Sequence, residues 1–354
     1  MIAIPCAIVR GIAACVAVVL LMAPQQTTWA QQPAARGVYN WIRGTGDAER
    51  SFAFYRDVFG LQLTRSPFAG AARAGAPPEP IRPASQAGSD PLVWDLTNTH
   101  GSRFRTVFMR ASNTPFGLEL SEFFDIPRNA PVPSPWDPGA ARVIFSVRDL
   151  DAVVRRLAAR GAAVASLGGV AIDTPGGRAI LVRDPDGCLV EVRQASAAER
   201  RAKAEGEVVG TGIAITVARL DRALAFYRTL LGFAVRQTLP ASAEELRVNG
   251  LQGGRLTQAV TAIPGLDATV ILSEFGPPPA AHPAARPLEW RIQDVGSPQF
   301  QLQVAGLDAL LERTRIAGYR MLSVGGRPIQ RPFGRFVFAI DPDGVLVEFV
   351  EPAQ

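Results

Sequence analysis

Histidine and cysteine are scarce in this chain. Its 354 residues hold two histidines, His100 and His282, and three cysteines. Cys6 and Cys15 lie in an apolar N-terminal stretch, so Cys188 is the one thiol of the body of the protein and no disulfide can form within it. Cys188 sits in a strand-like pattern and reads as a strand residue, not a nucleophile. No Ser-His-Asp or Cys-His arrangement has a supporting spacing. No Walker sequence is present, and Gly44-Thr45-Gly46 and Gly210-Thr211-Gly212 are too short to cradle a nucleotide. The formal charge is +5, but the basic residues, mostly Arg, are scattered. Without a dense basic run interleaved with aromatics there is no nucleic-acid groove, and the charge reads as a solvated surface.

The first 30 residues stand apart. Arg10 makes a short basic start, Gly11 to Met22 is apolar, and Thr28-Trp29-Ala30 puts small residues at a cleavage position. The apolar run is short for a membrane span, and the pattern is that of a secretory signal peptide. The expectation is cleavage near Ala30–Gln31, a periplasmic or secreted protein, and no membrane attachment afterwards; a retained anchor is the alternative. Ile12-Ala13-Ala14-Cys15 weakly resembles a lipoprotein box, but the apolar run continues past Cys15.

The composition is 47% hydrophobic, which supplies core for two globular domains. The sequence repeats itself. Ser51 to Leu61 (SFAFYRDVFGL) matches Ala223 to Phe233 (ALAFYRTLLGF), each an amphipathic helix closed by Gly60 or Gly232. Apolar runs before them, Val38 to Ile42 and Ile213 to Val217, read as strands. Leu118 to Phe123 matches Val270 to Phe275. Asp184-Pro185-Asp186-Gly187 matches Asp341-Pro342-Asp343-Gly344, and Glu191 matches Glu348, at one offset of 157 residues (341 − 184 = 157). Pro followed by Gly between apolar runs makes a hairpin turn. Each copy divides again, because Asp149 to Gly161 is another helix after the strand Val143 to Val147. The chain therefore reads as four strand–helix–three-strand units in two domains, about 37–195 and 207–354. The fold class is α+β. Residues 196–206 read as an exposed helical linker. The first copy has a 20-residue surplus near Pro67 to Pro91 (66 residues from Tyr55 to Ser121 against 46 from Tyr227 to Ser273), rich in Ala, Pro and Gly. It is expected to be a surface loop, with a lid over a pocket as the alternative.

The repeated AFYRD…LG helix, LDA…L…G helix and DPDG…VE hairpin together resemble the vicinal oxygen chelate superfamily of glyoxalase I, extradiol dioxygenases and bleomycin-resistance proteins. The resemblance covers nearly all of 37–352. It implies tandem pairs of βαβββ modules forming two half-open barrels. It also implies a cleft that holds one divalent metal in the enzymes and none in the binding proteins. The metal ligands of the family come from the first strand and the last strand of each module. Carried onto this chain, the first domain offers Asn40, Glu119, Arg142 and Glu191, and the second offers Gly212, Ile271, Gln299 and Glu348. A catalytic metal needs about three N, O or S ligands. The second domain supplies two, and Arg142 cannot ligate. Neither histidine falls on a ligand position, which argues against a two-His-one-carboxylate iron site.

The expectation is thus a metal-free cleft in the first domain that binds a small molecule through Asn40, Glu119, Arg142 and Glu191. The alternative is a metal-dependent lyase, isomerase or dioxygenase with Asn40, Glu119 and Glu191 as ligands. Tyr39, Trp41 and Trp94 are candidates for a pocket lining or for core. His100 reads as a solvent turn residue and His282 as a loop residue.

Overall fold

The computed structural model describes residues 34–68, 77–112, 114–203, 205–266 and 268–353. The expected signal peptide lies outside the described residues. Four modules follow one another. The first is β1 (Ala35–Gly44), α1 (Ala48–Phe59), β2 (Gln62–Leu63), an extra helix α2 (Pro91–Thr97), β3 (Arg103–Arg110) and β4 (Gly117–Phe124). The second is β5 (Ala141–Val147), α3 (Leu150–Ala159), β6 (Ile172–Thr174), β7 (Gly177–Arg183) and β8 (Leu189–Gln194). A short helix, α4 (Ala197–Ala202), occupies the linker. The third is β9 (Val208–Val217), α5 (Leu220–Leu224) continuing into a π-helical turn (Ala225–Leu230), β10 (Ala234–Pro240), α6 (Ala243–Val248), β11 (Leu256–Ala262) and β12 (Thr269–Phe275). The fourth is β13 (Pro298–Val304), α7 (Leu307–Ile316), β14 (Ile329–Arg331), β15 (Gly334–Ile340) and β16 (Leu346–Pro352).

The helices form where the sequence signals them. Asp47 caps α1 by accepting from Arg50 N–H at 2.9 Å, and Gly60 ends it with φ 72°, a left-handed value that favours glycine. Phe52, Tyr55 and Phe59 lie on its buried face. Asp149 caps α3 in the same way.

Both repeated motifs touch. The Tyr55 hydroxyl donates to Asp184 Oδ2 at 2.7 Å, and the Tyr227 hydroxyl donates to Asp341 Oδ2 at 2.8 Å. The other oxygen of each Asp accepts two backbone N–H groups of its own turn. The helix of one module thus grips the DPDG turn of the next within the same sequence repeat, and α1 packs on α3.

The sheets are assembled differently. One, sheet A, runs β14-β15-β16-β13-β1-β4-β3-β2, and the other, sheet B, runs β10-β11-β12-β9-β5-β8-β7-β6. The central pairs β1–β13 and β5–β9 are antiparallel. Sheet A therefore joins the first module to the fourth, and sheet B joins the second to the third. The paired-module α+β fold is as expected, but each sheet takes half its strands from each sequence repeat. One continuous core of Trp41, Phe59, Phe145, Phe226, Phe300 and Phe349 fills the space between the helices and one face of both sheets. The opposite face of each sheet is a cleft face. No helix among the described residues is long and apolar enough to cross a membrane.

Candidate functional site

Strand β1 carries a bulge. Its register passes from Val38↔Leu302 to Asn40↔Gln301 and leaves Tyr39 as the extra residue. Bulges re-aim side chains. Here Val38 and Trp41 enter the helix-side core, whereas Tyr39 packs on Phe68 over the cleft face and Asn40 turns to the same side. Of the aromatic candidates, Tyr39 looks onto the cleft and Trp41 is core, against Phe300 at 5.7 Å. Trp94 lies on α2 and donates to Ser102 O at 2.7 Å.

Asn40 begins a chain of polar contacts across sheet A. Its Nδ2 donates to Gln301 Oε1 at 3.0 Å and to Glu119 Oε2 at 3.3 Å. Gln301 Nε2 donates to Glu348 Oε2 at 2.7 Å. The order is carboxyl, amide, amide, carboxyl, on four adjacent strands. Strand pairing fixes it, because Asn40 lies opposite Gln301, Gln301 opposite Glu348, and Glu119 beside Ile42 of β1. Gly117, paired with Asn40, leaves the room: a Cβ there would stand 2.7 Å from Asn40 Oδ1.

All four side chains are buried. Burial, and then the neighbouring Glu348, push the Glu119 carboxyl up to about 8, against weaker help from Ser121 and Asn40. Burial likewise pushes Glu348 up to about 7, with Gln301 opposing. Among the described residues no Arg or Lys pairs with either carboxyl. Two buried acids without counter-charge hold protons near neutral pH.

Sheet B repeats the geometry with other residues. Register equates Glu348 with Glu191, Gln301 with Ile144, Asn40 with Gly212, and Glu119 with Ile271. Only Glu191 is polar. Arg142 Nε donates to its Oε2 at 2.6 Å, and Arg193 bonds its Oε1. Burial alone would raise the Glu191 carboxyl, but the Arg193 and Arg142 charges and hydrogen bonds overcome it and hold it at about 2. Two glutamates at the same offset from identical turns thus sit in opposite electrostatic settings.

The sequence-derived set of Asn40, Glu119, Arg142 and Glu191 does not come together in one cleft. Asn40 and Glu119 belong to sheet A, Arg142 and Glu191 to sheet B. The ligand set Asn40, Glu119 and Glu191 divides in the same way, with Glu348 where Glu191 was expected. The third position was also placed two residues early: Arg142 and Gln299 precede Ile144 and Gln301. A slip of two keeps a side chain on the same face, so strand alternation could not reveal it. Gln299 instead donates to Ile292 O and Ser297 Oγ, each at 3.4 Å. Gln301 was missed. The run Gln299-Phe300-Gln301-Leu302-Gln303 shows that one face is polar, but not which Gln meets an acid. Among the described residues no three of His, Cys, Asp and Glu converge. The quartet combines two acids with two amides. His100 is exposed and pairs with Asp95 at 3.1 Å, His282 lies against the Trp136 ring, and Cys188 is buried with its thiol pushed well up by burial.

The expected surface loop of the first copy, where described, packs over the cleft face of sheet A. Phe68 meets Tyr39 at 4.9 Å, Phe336 at 5.1 Å and Phe333 at 5.4 Å. Gly88 pairs with Phe104, and Asp90 both caps α2 and bonds Arg331. Leu96 of α2 enters a cluster with Phe338, Leu346 and Val350 of the fourth module, and its carbonyl accepts from Ser323 Oγ at 2.7 Å. The segment is a cover. It leaves a cavity of about 280 Å³ between itself and β3, whose lining includes Phe104, Thr106 and Phe108. Phe108 is the cross-strand neighbour of Glu119.

Two sheets of paired βαβββ modules, each with a cleft face at its centre, define a fold built by duplication. The chain belongs to the Glyoxalase/Bleomycin resistance protein/Dioxygenase superfamily, whose sequence profile matches residues 40–192 and 211–349. Among solved structures it is similar to glyoxalase I from Zea mays, with a TM-score of 0.55, 16% identity, and coverage of 89% of this chain and 92% of that one. It is also similar to a provisionally assigned dioxygenase from Bacillus subtilis, with a TM-score of 0.52, 12% identity, and coverage of 91% and 87%. At these identities the likeness speaks for the fold. Comparison with curated protein sequences finds no match.

Proposed function

We propose that the cleft face of sheet A is the working site, that it takes one divalent cation, and that the chain is a metal-dependent lyase or isomerase of its superfamily. The observation that supports this is the pair of buried carboxyls, Glu119 and Glu348, linked through Asn40 and Gln301 and without an Arg or Lys partner among the described residues. The case for a metal-free cleft rested on the scarcity of histidine, which stands, and on Arg142 among these acids, which does not, because Arg142 belongs to the other sheet. Two carboxylates balance a divalent charge, and the amide oxygens bring the possible ligands to four. An all-oxygen set suits a hard cation such as Mg²⁺ or Mn²⁺. The absence of histidine from the quartet is why the dioxygenase branch is set aside.

When bound, the ion would supply Lewis-acid polarisation of a ligand oxygen. The residues have their own tasks. Glu119 and Glu348 must release their protons to hold a cation, so affinity rises with pH through about 7 to 8. Asn40 and Gln301 fix the carboxyl orientations. The cover that carries Phe68 and Leu96 lies over this face and leaves the cavity beside β3. The ligand is a small molecule with neighbouring oxygens, entering beside Phe108. Export remains part of this reading, on the strength of Arg10 and the apolar run Gly11 to Met22; N-terminal sequencing of the expressed protein should begin at Gln31.

Metal analysis after dialysis against Mn²⁺ at pH 8 tests the proposal. One equivalent should bind to the wild type and to Glu191→Gln, and none to Glu119→Gln or Glu348→Gln. Failure of the wild type to retain Mn²⁺, Mg²⁺, Zn²⁺ or Ni²⁺ would sink it.

A further inference from the structure

Sheet B has lost the acid–amide quartet, yet its cleft face is not filled. A cavity of about 540 Å³ lies over Ile144, Ile271 and Gly212, with Thr211, Arg193 and Lys203 around it. A second, of about 30 Å³, shares Arg193 and reaches Arg142, Glu191 and Asn249. Arg142 is 2% exposed and Asn249 3%. Asn249 Oδ1 and Thr211 Oγ1 are buried without a hydrogen-bond partner. Buried polar atoms are rarely left so, and both belong to cavity walls.

The two linings together balance three cations, Arg142, Arg193 and Lys203, against three carboxylates, Glu191, Glu199 and Glu245, but the larger cavity by itself holds two cations against Glu199. Glu191 engages Arg142 and Arg193 each through Nε, so two guanidiniums face one carboxylate, and no hydrogen bond among the described residues engages their terminal nitrogens. Lys203 adds a third cation. The nearby acids Glu199 and Glu245 are each committed to a capping box, with an oxygen on the N–H of Ser196 or Ser242. The floor is apolar, because Ile144 and Ile271 replace an amide and an acid. We propose that this second cleft binds a small organic anion without a metal, its carboxylate on Arg193 and Lys203 and its apolar part on Ile144 and Ile271. Arginine offers a carboxylate two parallel donors, and the apolar floor adds area-dependent affinity. One duplicated unit would then carry a cation site in one cleft and an anion site in the other.

Calorimetric titration of the full chain in EDTA with 4-phenylbutyrate, and with the neutral 4-phenylbutan-1-ol, is the test. The acid should bind one to one and the alcohol at least about tenfold more weakly, the loss of one charge-assisted contact. Arg193→Gln should weaken the acid about tenfold, Arg193→Lys should keep most of the affinity, and Lys203→Gln should weaken it less. Glu348→Gln, in the other cleft, should leave it unchanged. Equal binding of acid and alcohol would overturn the inference. So would wild-type affinity in both Arg193→Gln and Lys203→Gln, loss of binding in Glu348→Gln, or no saturable binding at millimolar acid. Because metal is absent throughout, failure here is separate from failure of the sheet A reading.

Discussion

Replacing Glu348 by Gln should relieve the metal-free protein of a loss of stability at high pH. Burial holds the folded Glu348 carboxyl at about 7, against an ordinary value of 4.5. A carboxyl whose folded pKa is raised favours the folded state at low pH. That contribution is fully present below about 4.5 and is lost as pH rises through the folded pKa. At about 1.36 kcal/mol per pKa unit, the shift amounts to about 3 kcal/mol lost between pH 4 and pH 9. The amide introduced by Glu348→Gln would keep an oxygen for Gln301 Nε2, now at 2.7 Å from the carboxyl, but would carry no proton to release. Glu119 also loses the charge that helps raise its own pKa. Urea unfolding in EDTA at pH 5, 7 and 9 reads the effect. The mutant should gain about 3 kcal/mol on the wild type across that range, with similar denaturant slopes. Parallel curves for the two proteins would refute the claim that Glu348 is buried without a cation.

Glu191 should behave in the opposite sense. Its folded pKa, at about 2, is depressed, so its stabilisation is present above 4.5 and lost as pH falls toward 2; Glu191→Gln should flatten the acid limb of a pH–stability profile. Arg142→Met leaves the buried Glu191 with Arg193 alone and should cost about 3 kcal/mol in denaturant unfolding, most of it recovered in Arg142→Met/Glu191→Leu. Gly117→Ala forces a Cβ to within 2.7 Å of Asn40 Oδ1, and should lower Mn²⁺ affinity about tenfold in a calorimetric titration.

The fold was legible because its signals are local. The AFYR helices, Gly60, and the DPDG turns each follow from residues close in sequence, and the repeat multiplies them. The cover of sheet A was harder to foresee. Ala, Pro and Gly around Pro67 to Pro91 predict a loop, and nothing local says that Phe68 will stack on Phe333, 265 residues away (333 − 68 = 265). The site was legible in half. Asn40 and Glu119 came from the ligand positions that the family resemblance implied, and they do meet. Their partners were sought in the same repeat, where Arg142 and Glu191 occupy nearly equivalent places. Only the pairing of β1 with β13, a non-local choice, decides that Gln301 and Glu348 stand there instead.

That choice makes the halves interdependent. Within each repeat the bonds are a helix gripping a turn, Tyr55 on Asp184 and Tyr227 on Asp341. Every central strand pair, by contrast, crosses between repeats. A fragment of residues 34–206 keeps its helix contacts but exposes the edges of β1 and β5, and unpaired edges seek partners. Pairing β1 of one copy with β5 of another would place Asn40 and Glu119 beside Ile144 and Glu191. Ile144 brings no amide, and Arg142 already holds Glu191. Such a fragment should therefore associate, on size-exclusion chromatography, and bind no Mn²⁺. Co-expression with residues 207–354 should restore one site per pair, because Gln301 and Glu348 return. Stoichiometric metal on the first fragment alone would show that the quartet is not the ligand set. It would point instead to Asn40, Glu119 and Glu191, the ligand set that the family resemblance implied as the alternative.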